Sequence, residues 1–421
     1  MIVHRAAWVV PIAGPVMRDG WVGVEAGRIV ASGSSTAPAG VEAAPPFDHG
    51  ACAILPALVN AHTHLELSYM RGLVPPAASF DAWVQALISL RSRYRDPLAG
   101  DIIHAIRQAI TEARAAGTGV VGDISNTLVT ARMLHDLGMP AHVFHEVLGF
   151  RVTDGTEAVA AARRRIDAVG QVEPVVRLSL APHAPYSVSP ALLTAIAGEM
   201  PDAITSVHLG ESPEEAHFLL HGGGPIQVAL ESLGAWNPAW TPPRCGPVEY
   251  VDKFGLLSER LLAVHGVQLS YRELAQLAGA GATLVTCPRS NHWVGAGSPP
   301  VEQFYASGVR VAIGTDSLAS VEDLNLFAEM AEIRALGPDI PARAIVESAT
   351  RMGAEALGFG EDYGTIEPGK RAALIAVRVP DGVDDVEEYL VSGIRPADVG
   401  WLDEPWPTPE SRAPSPEPRR R

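Results

Sequence analysis

Between residues 56 and 359, short apolar runs closed by polar loops alternate with helix-length amphipathic segments, and this alternation restricts the fold more than any other feature of the chain. The runs end near His64, Asn126, Leu148, His183, His208, His265, Cys287 and Asp316. Runs of this kind suit strands buried on both faces, as in parallel sheets covered by helices. The helical segments carry their own boundaries. Ile102, Ile103, Ile106 and Ile110 share a face that ends at Gly117, and Ser212-Pro213-Glu214-Glu215 and Ser270-Tyr271-Arg272-Glu273 each have the form of a capping box. Eight strand-helix units in about 260 residues predict an α/β fold of the (β/α)8 (TIM) barrel type, with chemistry at the C-terminal ends of the strands.

The flanks read differently. Ala7 to Ile12, Trp21 to Val24 and Arg28 to Ala31 are short β-type runs separated by turn signals, and a matching run, Ala372 to Val377, follows Gly364-Thr365-Ile366-Glu367-Pro368-Gly369-Lys370. The expected organisation is a small β-domain built from both chain ends, residues 1–55 and 360–400, around a barrel of residues 56–359. Residues 403–421, rich in Pro, Ser, Glu and Arg, cannot bury a core and are expected to be disordered. Within the barrel an unusually long segment, Ser79 to Tyr94, repeats Phe80, Trp83, Leu87, Leu90 and Tyr94 at helical spacing. It suits either a cover over the barrel mouth or an extra helix on the rim.

Composition narrows the partners. A formal charge of −16 opposes binding to nucleic acid or to anionic membranes, which leaves a small molecule as the expected partner. Cys52, Cys245 and Cys287 are widely spaced and support neither a disulfide framework nor a thiolate metal site. No apolar stretch approaches the ~18 residues needed to span a bilayer. A soluble, cytoplasmic protein is expected.

His62-Thr63-His64 closes the first apolar run, and strand positions two apart project to the same side. Both imidazoles therefore aim at one spot in the barrel mouth. His208 ends the fifth run and Asp316 the eighth, which a barrel places beside the first. Three neutral imidazoles and one carboxylate make a first shell for Zn²⁺ with a position left for water.

Val59-Asn60-Ala61-His62-Thr63-His64, His208-Leu209-Gly210-Glu211, Val264-His265-Gly266, Gly314-Thr315-Asp316-Ser317 and Gly364 to Lys370 occur in that order. Together they resemble the amidohydrolase superfamily, in its cytosine deaminase and chlorohydrolase-like branch, over nearly the whole chain. The resemblance implies a distorted (β/α)8 barrel with a β-sandwich made from both chain ends. Many of these enzymes bridge two metals with a carbamylated lysine, yet the only lysines here are Lys253 and Lys370, so no such bridge forms between His64 and His208. What the resemblance implies instead is one ion per chain, zinc or alternatively iron, held by His62, His64, His208 and Asp316. It further implies that Glu211 shuttles protons, that His265 holds the attacking nucleophile, and that Asp316 relays a proton as ammonia leaves. A homodimer is in keeping with the superfamily.

For the substrate, His183 resembles the histidine that deaminases of this branch set against the heterocycle. Glu66, Ser68, Glu146, Arg289 and Asn291 lie just past strand ends, each suited to contact hydroxyls or a carboxylate or to serve as an ordinary loop residue. His64-Leu65-Glu66-Leu67-Ser68 together with Ser79 to Val84 resembles the aminodeoxyfutalosine deaminases of menaquinone biosynthesis, which turn an adenine into hypoxanthine. Adenosine, S-adenosylhomocysteine and other purines or pterins are alternatives, because a shared metal site says little about a distal pocket. Hydrolysis of a carbon-halogen or cyclic amide bond, and a non-catalytic binding protein, are the other readings.

Overall fold

The computed structural model describes residues 1–34, 47–94, 96–199 and 201–403. The first strands are β1 (Ile2–Val9), β2 (Met17–Glu25), β3 (Arg28–Ser34), β4 (Phe47–Asp48) and β5 (Cys52–Pro56). Eight strands alternating with helices follow: β6 (Leu58–Thr63), β7 (Thr118–Ser125), β8 (Ala141–Val147), β9 (Val176–Pro182), β10 (Thr205–Leu209), β11 (Leu261–His265), β12 (Thr283–Thr286) and β13 (Arg310–Ile313). The last two are β14 (Leu374–Arg378) and β15 (Val399–Trp401).

The chain ends share one seven-stranded sheet in the order β15-β14-β5-β1-β2-β3, with β4 beside β1. Antiparallel pairing of β14 with β5 sets Ile375 against Leu55 and so carries the C-terminal segment onto the N-terminal strands. The first strand begins earlier than expected and stops at Val9, because Pro11 cannot donate to a ladder and Ile12 turns to φ +66°. The segment 404–421 lies outside the described residues, so the expectation for the tail applies to residues not described.

The middle of the chain forms two four-stranded parallel sheets, β6-β7-β8-β9 and β10-β11-β12-β13. At one seam His208 N donates to the His183 carbonyl at 2.9 Å, and at the other Thr63 pairs with Asp316 in a parallel bridge. All residues of β6, β7, β11 and β12 are buried, the burial pattern of strands covered on both faces. This α/β arrangement of parallel strands and helices is of the TIM-barrel type.

Helix boundaries follow local chemistry. The helix Gly100–Ala115 buries Ile102, Ile106 and Ile110 and stops at Gly117, whose φ of +92° an L side chain rarely adopts. Ser270 and Glu273 form a reciprocal capping box. The second expected box is only half present, because Ser212 caps Glu215 N while the Glu215 carboxylate turns elsewhere. The segment after β6 supplies a helix, Phe80–Arg91, that buries Phe80 and Trp83. Among the described residues no helix is long and apolar enough to cross a membrane, and the three cysteines are buried and unpaired.

Candidate metal and active site

The polar groups of the site gather where the parallel strands end. His62 lies within β6 and His64 directly after it; His208 and His265 lie in β10 and β11. Asp316 stands three residues past β13, in the turn that also contains Gly314. A Cβ on Gly314 would come within 2.7 Å of the His62 Cβ and 2.8 Å of its carbonyl oxygen, so glycine is what lets this turn approach the histidine. Within this cluster two buried non-glycine residues adopt left-handed backbone, His265 at φ +78° and Asp316 at φ +61°. Such conformations cost about 1–3 kcal/mol each and persist where surrounding contacts impose them. Here Asp316 N donates to the His62 carbonyl at 3.0 Å, and Gly266 N, next to His265, donates to the Leu209 carbonyl at 3.1 Å.

His62 is fully buried, and neither of its ring nitrogens has a hydrogen-bond partner among the described residues. Its Nε2 lies 4.0 Å from Asp316 Oδ1, and His64 Nε2 lies 3.6 Å from the same oxygen. His62, His208 and His265 form a second group whose ligand atoms, like those of His62, His64 and Asp316, all lie within 4.8 Å of one another. Burial, reinforced by neighbouring histidines, holds His62 far below its ordinary range, so the ring is neutral and one nitrogen keeps a lone pair for an ion. A buried imidazole with two unsatisfied nitrogens, beside further imidazoles and a carboxylate, has the donor chemistry of a site for a borderline divalent ion.

The remaining groups differ in protonation. Burial pushes Glu211 up to about 8 and His265 down to about 3, and Glu211 Oε1 lies 3.5 Å from His265 Nε2. Burial opposes the charging of His208, yet Glu146, Glu211 and Asp316 outweigh it and lift the ring to about 9. Asp316 is also desolvated, but His64 and His265 beside it and a 2.6 Å hydrogen bond from Ser290 Oγ hold it below the usual carboxylate range. His183, lowered to about 4 mainly by burial, keeps its Nδ1 against Ser187 Oγ at 2.6 Å.

A cavity of about 240 Å³ opens directly onto this cluster. His64, His183, His208, Glu146, Glu211 and Asp316 line its inner end. Leu67, Phe80, Trp83, Val84, Leu87, Tyr186, Ile226 and Leu230 form most of its wall. The helix Phe80–Arg91 is therefore a cavity wall, beside the helix Gly224–Ser232.

Of the residues expected to touch substrate, His183 and Glu146 line this cavity; Glu146 Oε1 lies 3.5 Å from His208 Nε2, while Oε2 accepts from Asn126 Nδ2 at 2.7 Å. The other four are placed elsewhere. Glu66 is buried behind the wall, where Ser125, Thr127 and the Asn126 backbone all donate to its carboxylate. Ser68 spends its hydroxyl on the Leu65 carbonyl. Arg289 faces Asp323 at 2.8 Å and the buried Glu329 at 3.6 Å. Asn291 Nδ2 donates to His265 Nδ1 at 3.0 Å, which orients that ring instead of reaching the cavity. The cause is local: Arg289 and Asn291 sit in the helix Pro288–Trp293, whose turn separates neighbouring side chains by about 100°.

That helix also holds Ser290, which sequence reasoning passed over although it is the residue that reaches Asp316. Glu215, whose sequence position suits a capping box, instead receives the backbone N–H groups of Gly210 and Glu211. Asn126 joins Arg91 to Glu146 through one amide. No sequence signal separates these roles from ordinary polar positions.

Residues 53–394 match the amidohydrolase family. The chain is 30% identical over 411 residues to the 5-methylthioadenosine/S-adenosylhomocysteine deaminase of Moorella thermoacetica, covering 94% of this chain and 91% of that protein. It is 32% identical over 357 residues to the aminodeoxyfutalosine deaminase of Deinococcus radiodurans, covering 79% and 81%. Among solved structures, a zinc-bound adenosine deaminase from Xanthomonas campestris superposes with a TM-score of 0.79 at 28% identity, covering 94% of this chain and 90% of that one.

Proposed function

The chain belongs to the amidohydrolase family, and from that premise we propose a hydrolytic deaminase that converts the adenine of a nucleoside to hypoxanthine with release of ammonia. The favoured nucleoside is 6-aminodeoxyfutalosine, which would place the enzyme in menaquinone biosynthesis; methylthioadenosine and S-adenosylhomocysteine are the competing substrates. In this reading the eight parallel strands make a distorted (β/α)8 barrel over residues 56–359. The terminal strands make a β-sandwich unit from residues 1–55 and 360–400.

The observation that carries the reading is the buried His62, without a hydrogen-bond partner among the described residues, beside His64, His208 and Asp316, which line a cavity that also presents Glu211. Those four residues would hold one divalent ion, zinc or iron. When bound, such an ion lowers the pKa of water in its shell from ~15.7 towards ~7 and makes a nucleophile available at neutral pH.

The chain's own groups divide the proton traffic. Glu211, kept largely protonated near neutrality by burial, hands a proton to the ring nitrogen next to the amino-bearing carbon and takes back the proton of the added hydroxyl as the carbonyl forms. His265, neutral and fixed by Asn291, aligns the attacking water, and the ionised Asp316 takes up a proton and returns it to the departing amine. His183, its Nδ1 held by Ser187, offers its other nitrogen to the heterocycle.

The test is incubation of metal-loaded protein with 6-aminodeoxyfutalosine, methylthioadenosine, S-adenosylhomocysteine and adenosine while ammonia and the adenine-to-hypoxanthine absorbance change are followed. Turnover of at least one is expected. Metal-loaded protein that deaminates none of them overturns the nucleoside reading, and release of chloride or of a ring-opened acid would favour a chlorohydrolase or cyclic amidase.

A further inference from the structure

We infer that the apolar-walled part of the cavity is a recognition site for an apolar 5′ substituent ending in a carboxylate, and that Arg91 receives the carboxylate. The inference rests on the nucleoside reading above and adds the chemistry that would select among adenine nucleosides.

The apolar part follows from what the wall exposes. Val84, Leu87, Ile88 and Arg91 recur at helical spacing on the face of Phe80–Arg91 that borders the cavity. Ile88, Leu148 and Leu233, all on the cavity wall, are among the exposed large apolar side chains of the protein. Clustered exposed apolar groups at a cavity mouth are the signature of a surface that a ligand covers. On the same helix the Trp83 indole N–H is buried without an acceptor among the described residues. A bound chain carrying an oxygen could satisfy it.

The charged part follows from the sign of the wall. Among the described residues lining the cavity, Asp81, Glu146, Glu211, Glu214 and Asp316 are the acids, whereas Arg91 is the one lysine or arginine. Away from the histidines at the inner end, the cation that a ligand anion meets on this wall is Arg91. The guanidinium is prepared for it. Nη2 spends its two hydrogens on Asn126 Oδ1 at 2.8 Å and Glu66 Oε1 at 3.2 Å, which fixes the group in place. Nη1 and Nε have no hydrogen bond among the described residues, and the side chain is 42% exposed. Glu66, in turn, is already supplied by Ser125, Asn126 and Thr127, so it acts as an anchor with its own donors. Charge-assisted hydrogen bonds to a planar guanidinium are the strong way to hold a carboxylate.

The experiment compares dissociation constants of 6-aminodeoxyfutalosine, whose 5′ substituent is an aryl ketone bearing a carboxylate, with those of methylthioadenosine, which has no acid. Calorimetry is done on metal-loaded Glu211→Gln protein, where turnover is slow, with and without Arg91→Gln and Arg91→Lys. Arg91→Gln should weaken the carboxylate ligand about 10-fold or more relative to methylthioadenosine, with partial recovery in Arg91→Lys. Leu233→Glu, which adds an anion to the rim without touching Arg91, should shift the same ratio in the same direction. Equal weakening of both ligands, or no change in their ratio, would overturn the assignment and leave Arg91 as a support for Glu66 and Asn126. If wild-type enzyme binds both nucleosides with the expected ratio yet releases no ammonia, the deaminase reading falls and the binding site stands.

Discussion

The Glu215 carboxylate accepts the backbone N–H of Glu211 at 3.0 Å through one oxygen and that of Gly210 at 3.0 Å through the other. The two bonds tie the turn after β10 to the first turn of the helix Pro213–His221, and with it the carboxyl assigned to proton transfer. Glu215 is fully buried, and burial pushes it up to about 7. A carboxylate with both oxygens engaged is hard to replace, since an amide offers only one acceptor. Glu215→Gln should therefore lower kcat by ~10- to 100-fold through misplacement of Glu211. KM and metal content should change much less. Steady-state kinetics with elemental analysis checks this, and an unchanged kcat would remove the positioning role.

Glu211→Gln is expected to retain metal and to lose at least ~10²-fold in kcat, because the amide cannot exchange a proton with the ring nitrogen. A near-wild-type kcat would take Glu211 out of the mechanism.

The metal shell can be tested from within and from behind. His64→Ala should lose bound metal outright when assayed by elemental analysis. Ser290→Ala removes the 2.6 Å hydrogen bond to Asp316 Oδ2 and should weaken metal affinity by ~10- to 100-fold in a chelator competition. Wild-type affinity in Ser290→Ala would mean that Asp316 needs no such support.

Stability should depend on pH through Glu329. It is fully buried, and although Arg289 draws it down, burial raises it from 4.5 to about 8. Between those values the folded protein binds the proton more tightly than the unfolded chain does, so this contribution is complete below pH ~4.5 and is lost as pH rises through ~8. Glu329→Gln removes the titration. Its Tm should fall less than that of the wild type between pH 5 and pH 8.5, and parallel curves for the two proteins would refute the assignment.

How far the chain could be read in advance depends on what kind of contact each residue makes. His62 and His64 are two positions apart on one strand, so their convergence is a property of the backbone period and visible in the sequence. His208, His265 and Asp316 close their runs, so the alternation that predicts parallel strands also predicts that they meet at one end. The pairing of Ala372–Val377 with the N-terminal strands was legible in the same way, as a β-type segment with no partner nearby. Among the flanking polar residues, by contrast, a difference of one position decided everything: Ser290 reaches Asp316, while Arg289 beside it turns to Glu329. A helix turns side chains by about 100° per residue, and its orientation on the barrel is set by packing that no local pattern encodes.

The amino-acid sequence by itself determined the parallel α/β scaffold, the sheet shared by both ends and the identity of the polar cluster, because periodicity, turn chemistry and strand ends are local properties. Only the tertiary structure decided that Glu66 is walled off by Ser125 and Thr127, that Glu215 holds the Glu211 turn, and that Arg91 is the one arginine among the described residues of the cavity wall. Those roles depend on which side chains from distant segments meet, and on how deeply each is removed from water, and both are fixed only when the helices pack against the strands.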